Sequence, residues 1–197
     1  YKPDCRIPLV GEGRVINSIT KNLVGVLTEE NQLEYLLDDV LTNPVTFGGV
    51  AEVDLSEPIL SVKDVNRVYY DTSGEGIKVG FVYEITDASL LSLDLLNGFW
   101  ISTYLKGVEQ ETSLSSGEGI SGLLSVSLLN TNGGKREVQI EATKPFDEVR
   151  FGNSGLSVKV LHAMKVYYAY VGENKEKIAA AGHEYGQATT TALADGD

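Results

Sequence analysis

The amino-acid sequence predicts an all-β fold, an antiparallel β-sandwich of jelly-roll type. Apolar and polar residues alternate with a period of two through the middle of the chain, which is typical of half-buried strands. Roughly ten such short segments follow one another with turn residues every 8–12 positions, which is the spacing of a sandwich or jelly roll. We place this domain within residues 1–172 and its strands between about Arg14 and Val171. Residues 173–197 are predicted to be a linker, a docked tail or the start of a second copy.

The clearest strands lie in the centre of the chain. In Ile77–Ile85 every odd position is apolar or aromatic, which predicts a strand with one buried face. Phe99–Leu105 repeats the alternation, with Phe99 on one face and Trp100 on the other. Lys-Gly at 106–107 then leads into Val108–Thr112, so these two segments are predicted to form a hairpin.

A second hairpin is predicted to join Leu124–Leu128 to residues 137–142, because the Asn- and Gly-rich turn between them supplies the positive φ angles of a tight turn. Shorter strands are predicted at residues 14–20, 24–27, 45–53, 59–62, 146–151 and 163–171. Residues 29–37 and 88–96 have the apolar spacing of short helices or loops. Beyond Gly172 the sequence shows no strand pattern.

The composition excludes several partners and sites. With 28 acidic and 16 basic residues, the chain has a net charge of −12, which repels phosphate backbones and anionic membranes, so no nucleic acid is expected as a partner. Cys5 is the single cysteine, so it forms no internal disulfide and, with only His162 and His183, no zinc site. No run of about 18 apolar residues is present, so no membrane-spanning segment is predicted.

The sequence shows no recognisable catalytic machinery. Neither His162 nor His183 is near a Gly-x-Ser-x-Gly elbow, and the glycine-rich residues 117–122 lack the βαβ setting of a nucleotide site. A glycosidase needs two carboxylates facing each other across a cleft. Asp147 and Glu148 are adjacent on a predicted strand and therefore point to opposite faces.

Other charged residues of these strands have structural interpretations. Glu109 and Glu111 share a face by alternation, and we expect that face to be solvated. On the segment 146–151 we expect Val149 and Phe151 in the core, with Asp147 making a structural hydrogen bond or capping a turn. Glu148 and Arg150 are predicted to pair across one residue on the exposed face of the same strand.

Two kinds of ligand chemistry remain. A structural calcium ion is the one possible cofactor, because Asp38, Asp39, Thr42 and Asn43 offer hard oxygen ligands in a predicted loop; the alternative is a solvated acidic cluster. Aromatic rings stack on the apolar faces of sugars, so aromatic groups are candidate carbohydrate sites; the alternative is that they edge the core. The candidate ligand-binding residues are Trp100 with Tyr104, and Tyr69 with Tyr70; a third group is Tyr167, Tyr168 and Tyr170.

Several short motifs lie within residues 38–171: Asp-Asp-Val-Leu-Thr-Asn at 38–43, Ser-Val-Lys-Asp at 61–64, Val-Gly-Phe-Val at 79–82, the segment 102–111, and Lys-Pro-Phe-Asp-Glu-Val-Arg-Phe at 144–151. Together they resemble β-sandwich domains of secreted and cell-surface, adhesin-like proteins of Bacteroidetes. That resemblance implies a secreted or outer-membrane-associated location and neighbouring domains in a longer chain. The last motif also resembles a late strand of laminin-G-like and galactose-binding-like sandwiches, which often bind sugars.

From these observations we expect a non-catalytic module of an exported bacterial surface protein. Its expected role is adhesion or carbohydrate contact, with a carbohydrate or a host or cell-surface protein as partner. A structural stalk or spacer domain without a ligand is the first alternative, and a glycan-acting hydrolase is the second. A concave aromatic patch on the sandwich favours ligand binding, and smooth acidic faces with polar end-to-end contacts favour a spacer. Two carboxylates about 5–10 Å apart in a cleft favour a hydrolase.

Overall fold

The structure is a computed structural model, and it describes residues 6–16, 31–48, 50, 52–71, 75–113, 124–128, 134–172 and 178–180. These residues form two antiparallel sheets and a two-stranded ribbon with few helices, which confirms the predicted all-β sandwich. The finer assignment to a jelly-roll, galactose-binding-like or laminin-G-like type stays a prediction. No helix in the described part of the chain is long and apolar enough to cross a bilayer.

The strands and helices are short. In chain order the strands are β1 (Arg6–Pro8), β2 (Arg14–Val15), β3 (Val45–Thr46), β4 (Leu60–Asp64), β5 (Arg67–Tyr69), β6 (Ile77–Ile85), β7 (Phe99–Leu105), β8 (Val108–Thr112), β9 (Leu124–Leu128), β10 (Arg136–Ala142), β11 (Glu148–Asn153), β12 (Met164–Gly172) and β13 (Ile178–Ala180). The helices are α1 (Asn31–Glu34), a 3₁₀ turn (Ala88–Leu90), α2 (Leu93–Gly98) and α3 (Val158–His162).

The two sheets contain strands from distant parts of the chain. Sheet A has the order β1-β12-β6-β10-β9, and β3 also pairs with β12. Sheet B has the order β2-β4-β11-β7-β8, and β5 pairs with β13 in the separate ribbon. Every one of these pairings is antiparallel.

Aromatic side chains from both sheets pack together in the core. Phe81 of sheet A stacks on Phe151 of sheet B with ring centroids 5.0 Å apart. Phe99 stacks on Phe151 at 5.4 Å and tilts against Tyr83 at 4.6 Å. All four rings are at least 98% buried, and burial of one such side chain is worth roughly 1.5–3 kcal/mol. These contacts hold the inner faces of the sheets together.

Serine caps fix the two helices that close this core. The Ser92 hydroxyl accepts a hydrogen bond from Leu95 N at the start of α2, and Ser157 accepts one from Val160 N at the start of α3. Each cap satisfies an amide that has no partner within its helix. The helical pattern predicted at residues 88–96 is confirmed by the 3₁₀ turn and α2, and that at residues 29–37 by the single turn of α1.

The predicted strands agree best with the structure where alternation was regular. β6, β7, β8 and β9 have the predicted bounds, and both hairpins form. The strand predicted at residues 45–53 is shorter in the structure, because among the described residues of this segment only Val45–Thr46 pairs with β12. Of the segment 14–20 only Arg14–Val15 is a strand among the described residues, and 24–27 lies outside them.

Three pairing strands were not predicted. β1 adds to the edge of sheet A before Arg14, and β5 forms the ribbon with β13. β13 lies beyond Gly172, so the prediction that the tail contains no strand is wrong over these three residues. Strands this short carry too few residues for an alternation pattern, so their pairing is set by the rest of the fold.

Side chains donate hydrogen bonds to two backbone carbonyls of β8, whose described pairing is with β7. Lys144 Nζ donates to the carbonyl of Gln110 at 3.3 Å, and Gln110 Nε2 donates to the carbonyl of Val108 at 3.0 Å. An uncovered row of backbone groups is a template for another strand, and lysine is a common means of blocking it.

A glycine pairs with a large aromatic residue on the outer face of each sheet. In sheet B, Trp100 on β7 pairs with Gly152 on β11, and a Cβ at that glycine would overlap the indole ring, so the missing side chain lets this ring lie on the sheet. In sheet A, Tyr170 on β12 pairs with Gly80 on β6, and its hydroxyl reaches Gln139 on β10. A Cβ at Gly80 would meet the backbone of β10 rather than the tyrosine ring.

We therefore expect Gly152→Ala to destabilise the domain by about 1–3 kcal/mol, because the added methyl group forces the Trp100 ring off the sheet. Gly48→Ala is the matched control, because a Cβ there meets no atom within 4 Å. Urea denaturation followed by tryptophan fluorescence measures both effects. Equal stability of the two variants would contradict the proposed overlap.

Candidate functional site

Tyr69 and Tyr70, two of the predicted ligand-binding residues, lie inside the protein. Each is 1% exposed, so neither ring forms the surface platform that the sequence predicted. The Tyr69 hydroxyl donates to Asp64 Oδ2 at 2.6 Å, and Arg14 Nε lies 3.1 Å from the same oxygen. Burial, followed by the hydrogen bond to the Asp64 carboxylate, raises the pKa of Tyr69 to about 12. This buried group joins β2, β4 and β5.

Trp100 and Tyr104 share the outer face of sheet B, as the alternation along β7 predicts, and Ser102 lies between them. Trp100 is only 7% exposed, and its Nε1 has no hydrogen-bond partner in the described part of the chain. Tyr104 is half-buried; its hydroxyl donates to Glu109 Oε2 at 3.2 Å, and burial raises its pKa. Both rings are therefore packed against the sheet rather than presented to solvent.

The predicted pairing of Glu148 with Arg150 is confirmed, but its position is corrected. Arg150 Nε lies 2.7 Å from Glu148 Oε2, yet Glu148 is 1% exposed, so the pair is not on an exposed face. The Arg150 guanidinium also lies 3.7 Å from the centroid of the Tyr104 ring. The cation thus holds a buried carboxylate and covers one face of a candidate sugar platform.

A β-bulge separates Glu109 from Glu111. Glu109 lies opposite Tyr104 on the outer face, whereas Glu111 lies opposite Thr103 on the inner face, with an irregularity in register between them. The prediction that the two glutamates share a face is therefore wrong, because one extra residue reverses the alternation. Glu111 instead accepts hydrogen bonds from the amide and hydroxyl of Thr143.

Asp147 makes the structural hydrogen bond that the sequence predicted. Its carboxylate accepts from the backbone N–H of Lys106 at 3.2–3.3 Å. Lys106 and Gly107 both have positive φ, 50° and 81°, which is the type I′ geometry of a two-residue hairpin turn. Burial raises the pKa of the Asp147 carboxyl and outweighs this hydrogen bond, which lowers it.

His162, for which the sequence predicts no catalytic role, forms a hydrogen bond with a backbone carbonyl. His162 Nε2 lies 2.6 Å from the Val50 oxygen, a contact that links α3 to the segment after β3. This hydrogen bond gives the imidazole a structural role at the end of α3. His183, Cys5 and the glycine-rich residues 117–122 lie outside the described residues.

The predicted calcium ligands Asp38, Asp39 and Asn43 lie in one turn after α1. Asp38 Oδ1 accepts from Val40 N at 3.1 Å and Oδ2 accepts from Asn43 Nδ2 at 3.0 Å, while Asp39 is exposed. Within the described ranges no group of three or more His, Cys, Asp or Glu side chains is arranged to hold a metal ion. Calcium at this turn stays a prediction.

The third aromatic group forms a packed cluster on the outer side of sheet A, which we call the tyrosine face: Tyr167, Tyr168 and Tyr170, together with Val82. A register shift between Val166 and Tyr168 marks a β-bulge in β12. Tyr168 and Tyr170 have their ring centroids 6.4 Å apart in an edge-to-face arrangement. Tyr168 is half-buried, whereas Tyr167 and Tyr170 are buried. The sequence named these tyrosines but not the bulge that brings all three to one face.

Polar side chains surround the tyrosine face. The Tyr170 hydroxyl shares its proton between Gln139 Oε1 at 2.8 Å and Glu137 Oε2 at 3.1 Å. The Tyr167 hydroxyl donates to Glu84 Oε2 at 2.7 Å, and burial together with this bond raises the pKa of Tyr167. Tyr168 is thus a partly accessible ring in a cluster whose other two hydroxyls are held by polar side chains.

No protein-family model, curated protein or solved structure matches this chain. The resemblance to Bacteroidetes surface domains therefore stays a prediction, and the evidence for function is the arrangement of the side chains themselves.

We expect Tyr69→Phe to lower the free energy of unfolding by about 1–3 kcal/mol, because it leaves the buried Asp64 carboxylate without one donor. Tyr83→Phe is the matched control: the Tyr83 hydroxyl is also buried but has no hydrogen-bond partner in the described part of the chain. Its removal should cost little or nothing. Chemical denaturation measures both, and equal losses would show that the hydroxyl bond to Asp64 contributes nothing.

Asp147→Asn should stabilise the domain at neutral pH. A raised pKa means that the folded protein binds this proton more tightly than the unfolded chain, so ionised Asp147 lowers stability. That loss is present above the folded-state pKa and disappears as the pH falls below the ordinary aspartate value. The asparagine Oδ1 can still accept from Lys106 N. Denaturation of both proteins across this pH range should show a difference that shrinks on acidification, and a pH-independent difference would contradict it.

Proposed function

We propose that this domain is a non-catalytic, carbohydrate-binding module of an exported bacterial surface protein, and that the tyrosine face of sheet A is its contact surface. The observation that carries this proposal is the bulge in β12, which adds Tyr167 to the face of Tyr168 and Tyr170. It produces a cluster of aromatic rings on the outer side of sheet A that is separate from the main core of the sandwich.

Carbohydrate fits this surface by its chemistry. A pyranose ring has an apolar face that stacks on an aromatic ring and hydroxyl groups at its rim that need hydrogen-bond partners. Tyr168 offers a partly accessible ring, and Gln139 and Glu137 lie beside its neighbour Tyr170. A host or cell-surface protein is the other adhesion partner, and it becomes an outcome of the test below.

The absence of catalysis is part of the proposal and has its own support. His162 is bonded to a backbone carbonyl, Asp147 holds the turn of a hairpin, and Glu111 is bonded to Thr143. The bulge in β8 also separates the pair of glutamates that a glycan hydrolase would need on one face. Export and surface location rest on the sequence resemblance alone.

One observation favours the alternative of a stalk or spacer domain without a ligand. Tyr167 and Tyr170 are 6% and 1% exposed, and each ring lies beneath a cation, Lys135 and Arg6 respectively. The buried Tyr167 and Tyr170 rings pack on sheet A and have this structural role even if no ligand binds. Tyr168, which is more exposed, therefore decides between the two functions.

The test measures binding of the purified domain to an array of glycans, with wild type, Tyr168→Ala and Tyr104→Ala compared. Tyr104 is the matched control because it is a half-buried tyrosine on the outer face of the opposite sheet. We expect Tyr168→Ala to weaken glycan binding by about tenfold or more and Tyr104→Ala to leave it unchanged.

Loss of binding in Tyr104→Ala instead would move the contact surface to sheet B and contradict the assignment to the tyrosine face. Failure of the wild-type domain to bind any glycan would overturn the carbohydrate proposal. Binding to cell-surface protein without glycan would then support adhesion through protein, and binding to neither would leave the spacer role. Circular dichroism of both variants excludes unfolding as the cause of a loss.

A further inference from the structure

We infer that the carbohydrate bound at the tyrosine face is uncharged, and this inference rests on the proposed function. Uronates, sialates and sulfates are bound most strongly by positively charged side chains that are available to the ligand. On the outer face of sheet A, Arg6 and Lys135 contact a carboxylate or an aromatic ring. Lys78 and Lys165 lie opposite carboxylates in the strand register. The described positive charges on this face therefore all have negative or aromatic neighbours.

The two innermost cations are held by direct contacts. Arg6 Nη2 lies 2.5 Å from Glu137 Oε2, and its guanidinium carbon is 4.8 Å from the centroid of the Tyr170 ring. Lys135 Nζ lies 4.1 Å from the centroid of the Tyr167 ring, whose hydroxyl is bonded to Glu84. Both cations therefore make cation–π contacts with the tyrosine rings, and these contacts compete with binding of an anionic ligand.

The two outer cations stand opposite carboxylates in the strand register. Lys78 on β6 pairs with Glu141 on β10, and Lys165 on β12 pairs with Glu84 on β6. Side chains of directly paired residues lie about 4.5–5.5 Å apart at Cβ, so opposite charges there attract each other. An anionic ligand would also meet the field of a chain with a net charge of −12.

A neutral hydrogen-bonding group completes the surface. Gln139 accepts the Tyr170 hydroxyl through Oε1, and no hydrogen bond within the described ranges engages its Nε2. Gly80 lies between these two residues in the sheet and adds no side chain to the row. The free end of the amide can donate to sugar hydroxyls while a ring stacks on Tyr168, whose ring lies 6.4 Å from that of Tyr170.

The experiment compares neutral oligosaccharides with uronate-containing, sialylated and sulfated ones on the wild-type domain. We expect binding of neutral glycans only, with an affinity that changes little between low and high salt, because screening weakens only interactions between charges. Gln139→Ala should weaken this binding by about 2- to 10-fold. Gln110→Ala is the matched control, since its amide lies at the edge of sheet B and donates to the Val108 carbonyl.

The outcomes separate this inference from the function on which it rests. Salt-sensitive binding of acidic glycans that is lost in Tyr168→Ala would overturn the inference and leave the carbohydrate-binding role in place. If Gln139→Ala binds neutral glycans with full affinity, the Gln139 amide does not take part in binding, which would contradict its proposed role as a hydrogen-bond donor to the sugar. An absence of binding to every glycan would overturn the proposed function, and the inference with it.

Discussion

The packing of Phe81 and Phe99 against Phe151 and of Tyr83 against Phe99 is the interaction on which the rest of the structure depends. It joins the inner faces of the two sheets and so fixes which side of each strand points outward. Once Phe81 is inside, its neighbour Val82 must be outside, and Val82 is the residue on which the tyrosine face packs. The outer surfaces follow from this core.

Two β-bulges change the outward or inward direction of side chains that regular alternation from the core would give. In β12 an extra residue brings Tyr167 to the side of Tyr168, and in β8 another places Glu109 and Glu111 on opposite faces. One bulge assembles an aromatic cluster and the other separates a carboxylate pair. Both change the chemistry of a surface without changing the number or order of strands.

The sequence predicted the fold where local patterns are sufficient. Regular alternation defined β6 and β7, and the turn residues defined the hairpin at Lys106. Burial was harder to predict, because the alternation that puts Trp100 outside its sheet does not show that the ring lies flat over Gly152. Bulges and three-residue strands such as β13 depend on partners distant in sequence, so no local pattern indicates them. The aromatic candidates were therefore named from the sequence, but the choice of Tyr168 among them needed the structure.

The hydrogen bond between Lys144 and β8 has a consequence for contacts between copies of the domain. The Gln110 carbonyl already accepts from Lys144 Nζ, so a strand of another molecule would have to displace this ammonium group before pairing there. The positive charge of Lys144 would also lie beside such a strand. Gln110 is therefore a poor starting point for edge-to-edge association.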